Sequence, residues 1–255
     1  MRTLAPRLVV VPVLLAGLIA LLAASPARAE DGAPRVERAA VTVRFDPPRQ
    51  RLLAEATLEV DAAANGVLRL DLAPVLRITE VSIDGASRGA PLRDESGGFE
   101  VPVPAGKHRV LVVYRGRLHD EVKAAEDLAW VAGDSTRGLV APVGIFLTGG
   151  SRWIPWAETS PLVAVDVDAW APKEMVVVCQ GGVPTRTALD VTGFDASSDA
   201  LAPADGSADG TTSWVRSSFP GTIPTDGVSL SAGDYIVTSR EVEGVTISTY
   251  FYPRH

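Results

Sequence analysis

The chain has 255 residues, with 24 Lys and Arg against 31 Asp and Glu and a formal net charge of -7. That acidity excludes nucleic acid and anionic membrane surfaces as partners, because both select clustered cations. The single cysteine, Cys179, excludes an internal disulfide framework, and the apolar run Met175-Val176-Val177-Val178 before it marks a buried structural thiol.

Residues 1–29 read as a cleavable signal peptide. Arg2 and Arg7 supply a positive start, an apolar run extends from Leu8 to Ala24, and Ser25-Pro26-Ala27-Arg28-Ala29 puts small residues where signal peptidase inspects them. The run approaches membrane-spanning length, but Pro12 and Gly17 interrupt it and the cleavage site follows directly. No later stretch resembles a transmembrane helix, so the expected mature chain, 30–255, is extracytoplasmic (secreted or periplasmic) with no span left after cleavage.

From there, alternation dominates. Ala54, Ala56, Leu58 and Val60 share one face while Glu55, Thr57 and Glu59 share the other, the period of a half-buried strand. Leu68, Leu70 and Leu72 alternate with Arg69 and Asp71 in the same way after the turn signal Asn65-Gly66. Further strands are expected over 40–45, 76–83, 99–103, 109–114, 144–147, 162–167, 174–179, 213–218, 234–239 and 245–252. Turn residues separate them: Pro47-Pro48, Asp84-Gly85, Gly97-Gly98, Pro104-Ala105-Gly106 and Gly181-Gly182. This spacing, with no long helical period and no internal repeat, predicts an all-β sandwich or barrel of mostly antiparallel strands. Only Asp120 to Leu128 could form a helical turn or two. The Ser, Ala, Gly and Asp stretch over about 195–212 reads as a mobile loop, and its acids Asp195, Asp199, Asp205 and Asp209 lack the spacing of an EF-hand.

Catalytic signatures are missing. His108, His119 and His255 stand in no His-Glu-x-x-His pattern, and the adjacent His119-Asp120-Glu121 would point to opposite sides of a strand. There is no Gly-x-Ser-x-Gly elbow, and Gly149-Gly150 and Gly181-Gly182 lack the spacing of a phosphate loop. Asp166 and Asp168 share a strand face, a geometry that a glycosidase could use, although a solvated face is the plainer reading. Trp130, Trp153, Trp156 and Trp170 fall close together in the chain. They could stack on a glycan or peptide if exposed, or fill a sandwich core if buried, and core is the default.

The ordered strands resemble one family. Val41-Thr42-Val43-Arg44-Phe45-Asp46 and Arg51 to Leu58 look like the first hairpin of the aminopeptidase N family. Leu68 to Leu72, Ile78 to Gly85 and the Tyr114-Arg115-Gly116 strand end follow in the family's order. Ser151-Arg152-Trp153-Ile154-Pro155-Trp156 resembles the segment that crosses toward the catalytic domain, and Tyr235 to Val237 and Val245 to Phe251 resemble the last strands. The resemblance covers roughly Val36 to His255.

It implies that residues 30–255 are the saddle-shaped N-terminal β-sandwich of a zinc metallopeptidase. The zinc and its ligands would then belong to a separate thermolysin-like catalytic domain, with no cofactor in this chain. It also implies that the domain supports peptide access and docks that catalytic domain, in the same or a neighbouring chain. Arg152, Trp153 and Trp156 are the expected peptide or domain-interface contacts. Two departures point to a divergent branch: the stretch 145–150 has no acid or amide to grip a peptide amine, and Ala157-Glu158-Thr159 replaces the usual Asp-Glu-Pro. The chain alone is expected to be inactive and to self-associate through an apolar docking patch. The alternatives are a stand-alone binding module that uses the tryptophans as a platform, and an enzyme that acts through Asp166 and Asp168.

Overall fold

The computed structural model describes residues 32–120, 138–189 and 214–253. Among them are sixteen strands, two single-turn 3-10 helices and no α-helix. No helix among the described residues is long and apolar enough to cross a membrane. The expected signal peptide, the helical turn after Asp120, Trp130 and the 195–212 loop lie outside the described residues.

Strands β1 (Arg35–Asp46) and β2 (Arg51–Ala62) form a long antiparallel hairpin. Pro47–Arg49 make a 3-10 turn between them, closed by the Gln50 N–H on the Pro47 carbonyl at 3.0 Å, with Gln50 left-handed at φ 55°. Ala39, Val41, Val43 and Phe45 of β1 and Ala54, Ala56, Leu58 and Val60 of β2 are buried, as period-two patterning requires. The sheet continues from β2 through β7 (Gly106–Arg117) and β4 (Leu76–Ile83) to β5 (Ala86–Gly89). On its other side β1 pairs in parallel with β10 (Ala164–Pro172), which is followed by β13 (Trp214–Phe219) and β12 (Thr185–Leu189). These eight strands make the main sheet, antiparallel except for β1 against β10.

Two smaller sheets complete the core. β3 (Gly66–Asp71) and β6 (Gly98–Val103) form a ribbon that buries Leu68, Leu70, Phe99, Val101 and Val103. A four-stranded sheet, in the order β11 (Val176–Cys179), β14 (Leu230–Gly233), β9 (Gly144–Leu147), β8 (Leu139–Ala141), buries Val177, Leu230, Ile145, Leu147 and Val140. All of these side chains join one continuous hydrophobic core with the inner face of the main sheet. Every strand expected from alternation is present, most of them longer than the pattern indicated. Four were not expected: β5, β8, β12 and β14. They are short, and β14 reads Leu-Ser-Ala-Gly, with too little contrast between its two faces to signal a strand.

β15 (Ile236–Val242) and β16 (Val245–Phe251) form a separate hairpin in which no residue is buried. Its turn, Glu243-Gly244, has both residues left-handed at φ 52° and 79°, as a two-residue hairpin loop demands. At its base the Tyr252 ring packs at a tilt of 54° against Tyr235, with centroids 4.9 Å apart. The tip of the same ring sits close against the small sheet: a Cβ on Gly144 would meet its hydroxyl at 2.6 Å, and one on Gly233 at 2.7 Å.

The Tyr-x-Gly strand end of β7 has two separate causes. Gly116 passes so close to the neighbouring chain that a Cβ would lie 2.3 Å from the Val75 carbonyl oxygen. Tyr114 fills the core, and its buried hydroxyl has no hydrogen-bond partner among the described residues; burial pushes its pKa upward. An unsatisfied buried hydroxyl costs stability. Tyr114→Phe is therefore expected to leave the unfolding free energy unchanged or raise it by ~1 kcal/mol in urea titrations. A clear loss of stability would show that the hydroxyl has a stabilising partner.

Candidate functional site

The segment 148–157 shows how short-range chemistry places the candidate residues. Gly149–Ser151 form a 3-10 turn, in which the Ser151 N–H and hydroxyl both donate to the Thr148 carbonyl, at 3.0 and 2.7 Å. Arg152 caps this turn in the left-handed region at φ 50°, a conformation uncommon for a residue with a Cβ. Gly149 passes close to the loop before β14: a Cβ there would lie 3.1 Å from the Gly227 Cα. Beyond the turn the chain runs along the end of the ribbon. Ala73 N–H donates to the Arg152 carbonyl at 2.8 Å, and Asp71 and Trp156 exchange two backbone hydrogen bonds of 2.8 and 2.9 Å.

This path sorts the three candidates. Trp153 is 1% exposed, and its indole N–H donates to the Val228 carbonyl at 2.8 Å. It is a satisfied core residue, and no ligand can stack on it from solvent. Trp156 is half-buried against the core, while Arg152 is exposed, with one guanidinium nitrogen 3.4 Å from the Ser96 carbonyl oxygen. All three border one cleft of about 200 Å³, which also takes in Asp71, Asp226 and Gly227. Neither carboxylate forms an ion pair among the described residues. The sequence offered no reason to group these two acids with Arg152, since they come from the end of β3 and from the loop before β14. Arg152 also borders a groove of about 1180 Å³ with Arg69, Arg88, Leu92 and Glu100. In the wall of that groove the Arg93 guanidinium donates to the Leu72, Ala73, Leu76 and Gly97 carbonyls, holding three segments together.

The remaining candidates have structural roles. Asp166 and Asp168 do share a face of β10, but each is engaged by a different arginine. Arg38 grips Asp166 through two nitrogens at 2.6 to 2.9 Å, and the Gly221 N–H donates to the same carboxylate at 2.8 Å. Asp168 pairs with Arg216. Cys179 is half-buried against the core, and burial pushes its thiol up to about 12, which leaves it protonated and unreactive. Trp170 is buried. His119 is exposed and bridges Leu139 through the backbone. No group of three or more His, Cys, Asp or Glu among the described residues could hold a metal ion. The cleft offers charge and backbone groups that can bind and orient a polar ligand, and no paired nucleophile and base lines it among the described residues.

One titratable pair stands out. Asp84 and Gly85 make the left-handed turn between β4 and β5, at φ 49° and 83°. The Asp84 carboxylate accepts the Arg109 backbone N–H at 2.8 Å and lies 2.7 Å from His108 Nδ1. These contacts, the Arg109 bond first, hold Asp84 below the usual carboxylate range. Asp84, and after it the Ala105 carbonyl, hold His108 above the usual histidine range.

No family model matches the sequence, and no curated protein matches it. Solved structures do match the fold. An M1 zinc metallopeptidase of Deinococcus radiodurans superposes with a TM-score of 0.56 at 15% identity, over 86% of this chain and 46% of that one. A mutant M1 zinc metallopeptidase from the same organism, bound to a Tyr-Ser-Ala substrate, gives 0.53 at 14% identity over 85% and 46%. A mutant two-domain M1 zinc metallopeptidase bound to L-arginine gives 0.54 at 14% identity over the same shares. The neighbours in structure are thus M1 zinc metallopeptidases, the aminopeptidase N family that the sequence resembles. Identity this low shows a shared fold, and the chain spans just under half the length of these relatives.

Two outcomes follow from the polar contacts. Asp166→Asn should cost about 1 kcal/mol of stability in urea titration, through loss of the Arg38 pair; an unchanged midpoint would contradict that role. The His108 contribution is full below the unfolded histidine pKa of about 6.5 and is lost as pH rises through the higher folded value. The Asp84 contribution is full above about 3.9 and is lost as pH falls through the lower folded value. The thermal midpoint advantage of the native chain over Asp84→Asn should therefore be greatest between these limits and shrink above neutrality. A difference independent of pH would rule the linkage out.

Proposed function

We propose that this chain is the non-catalytic N-terminal β-sandwich module of an exported, divergent aminopeptidase N-like zinc metallopeptidase. In this reading it supports access of peptide substrate and docks a thermolysin-like catalytic domain, which carries the zinc. The observation that carries the reading is the fold match, over most of this chain but under half of each relative. The ordered strand motifs and the Arg152 to Trp156 crossing segment add to it. Residues 1–29 supply the export signal, and the mature module acts in the periplasm or outside the cell.

The cleft beside Arg152 suits a supporting role. Asp71 and Asp226 bring acidic groups next to the 145–150 stretch, which has none of its own, and Arg152 adds an exposed cation at the same rim. Zinc chemistry does not fit the described residues, so no catalytic step is assigned to this chain. The binding-module alternative is weakened by the burial of Trp153 and Trp170, which leaves Trp156, half-buried, as its platform among the described residues.

The purified chain, supplemented with zinc, is expected to release no product from amino-acid p-nitroanilides. Zinc-dependent turnover by the chain alone would refute a non-catalytic role. Genomic DNA following the His255 codon is expected to encode His-Glu-x-x-His and a further glutamate ligand, and unrelated sequence behind a stop codon would count against the reading.

A further inference from the structure

One side chain is held by two different turns. His108, near the start of β7, stands between Asp84, in the left-handed turn from β4 to β5, and Ala105, in the turn from β6 to β7. Its Nδ1 lies 2.7 Å from the Asp84 carboxylate, and its Nε2 lies 3.3 Å from the Ala105 carbonyl oxygen. Both partners are acceptors with no proton to give. A neutral imidazole carries one N–H and can satisfy one of them; the imidazolium, with a proton on each nitrogen, satisfies both. When the second proton leaves, the two tautomers are not equivalent. A proton kept on Nε2 would aim the bare Nδ1 lone pair at a carboxylate, so the proton stays on Nδ1 and the Ala105 contact is lost.

That contact holds a turn with few other ties. The Ala105 N–H donates to Asn65 Oδ1 at 2.9 Å. Gly106 follows at φ 115°, and a Cβ there would stand 3.6 Å from His108 Nε2, so the ring lies close beside the turn. Glycine at this position offers a freed peptide little resistance to rotation. Asn65 and Pro104 also line the groove of about 1180 Å³, so the turn forms part of its wall.

We propose that His108 is a proton-operated clasp. Protonated, it holds the 104–106 turn to the β4–β5 turn; neutral, it releases Ala105 and loosens that wall of the groove. The charged groups around the ring leave the switching to His108. Glu37 of β1, Glu59 of β2, Asp84, Lys107 and Arg109 share with it a depression of about 740 Å³, and Asp61 of β2 lies 3.9 Å from the Lys107 ammonium. Carboxylates change charge at about pH 4, and Lys and Arg above about pH 10, so the imidazole titrates alone among these groups between about pH 5.5 and 8.5. Asp84 first, and then Ala105, keep the ring protonated beyond the ordinary histidine range. The clasp is therefore closed on the acid side and opens as pH rises through that raised value. It goes beyond the proposed domain role and does not depend on it.

Nuclear magnetic resonance of the purified chain tests this in two readings. Nitrogen shifts of His108, assigned by their loss in His108→Gln, should show both ring nitrogens protonated at low pH and Nδ1 alone protonated at high pH. Over the same titration, hydrogen-exchange protection of the Ala105 amide, corrected for base catalysis, should fall at least about tenfold while β2 amides stay unchanged. His108→Gln cannot bridge both acceptors in either state, so its Ala105 protection should be low throughout, with no step. Asp84→Asn removes the carboxylate that retains the proton, and should move the step to lower pH. A ring that titrates without any change at Ala105 would overturn the clasp. So would a ring neutral across the whole range, or a step that survives in His108→Gln.

Discussion

The parallel contact between β1 and β10 is the constraint on which the rest of the structure depends. Antiparallel neighbours such as β1 and β2 need only a tight turn, but these two parallel strands lie on opposite sides of a long excursion that builds the β3–β6 ribbon and two strands, β8 and β9, of the four-stranded sheet. Their register is held where the two strands begin. Arg38 grips Asp166, Val36 N–H donates to Ser160 Oγ at 2.6 Å, and Thr159 Oγ1 donates to the Pro34 carbonyl at 3.0 Å. Closing so long a loop costs entropy before any contact repays it, so this pairing should form late in folding.

Once that strand is in place, the crossing segment has a single path. Its far end leads into β10, and its near end is pinned where Gly149 touches Gly227. Between those points the Asp71–Trp156 backbone pair and the Trp153 indole bond leave little freedom. Arg152 is turned outward by its left-handed backbone, and it separates the small acidic cleft from the larger groove. The position of the one exposed candidate thus follows from backbone geometry laid down by its neighbours.

Much of this was legible because half-buried strands advertise themselves. Ala54 to Val60 alternates cleanly since one side meets the core and the other meets water. Thr185 to Leu189 is largely polar, so its place at a sheet edge left no periodic trace. Asp166 and Asp168 could be placed on one face from their spacing, but Arg38 and Arg216 come from other strands that only the folded sheet brings alongside. Trp153 shows the limit most clearly. Its hydrogen-bond acceptor is a backbone carbonyl at Val228, and backbone groups carry no signature in a sequence. Asp71 and Asp226 escaped notice for a related reason: nothing local to either residue refers to the other.

The seat of Tyr252 on Gly144 and Gly233 has a mechanical consequence. A ring resting directly on backbone, with no side chain between, leaves no compliant layer at the root of the β15–β16 hairpin. The projection therefore behaves as a bracket and not as a tether. Whatever is fastened to it inherits a bearing relative to the small sheet, and a methyl group added at either glycine would have to displace the tip of the tyrosine ring.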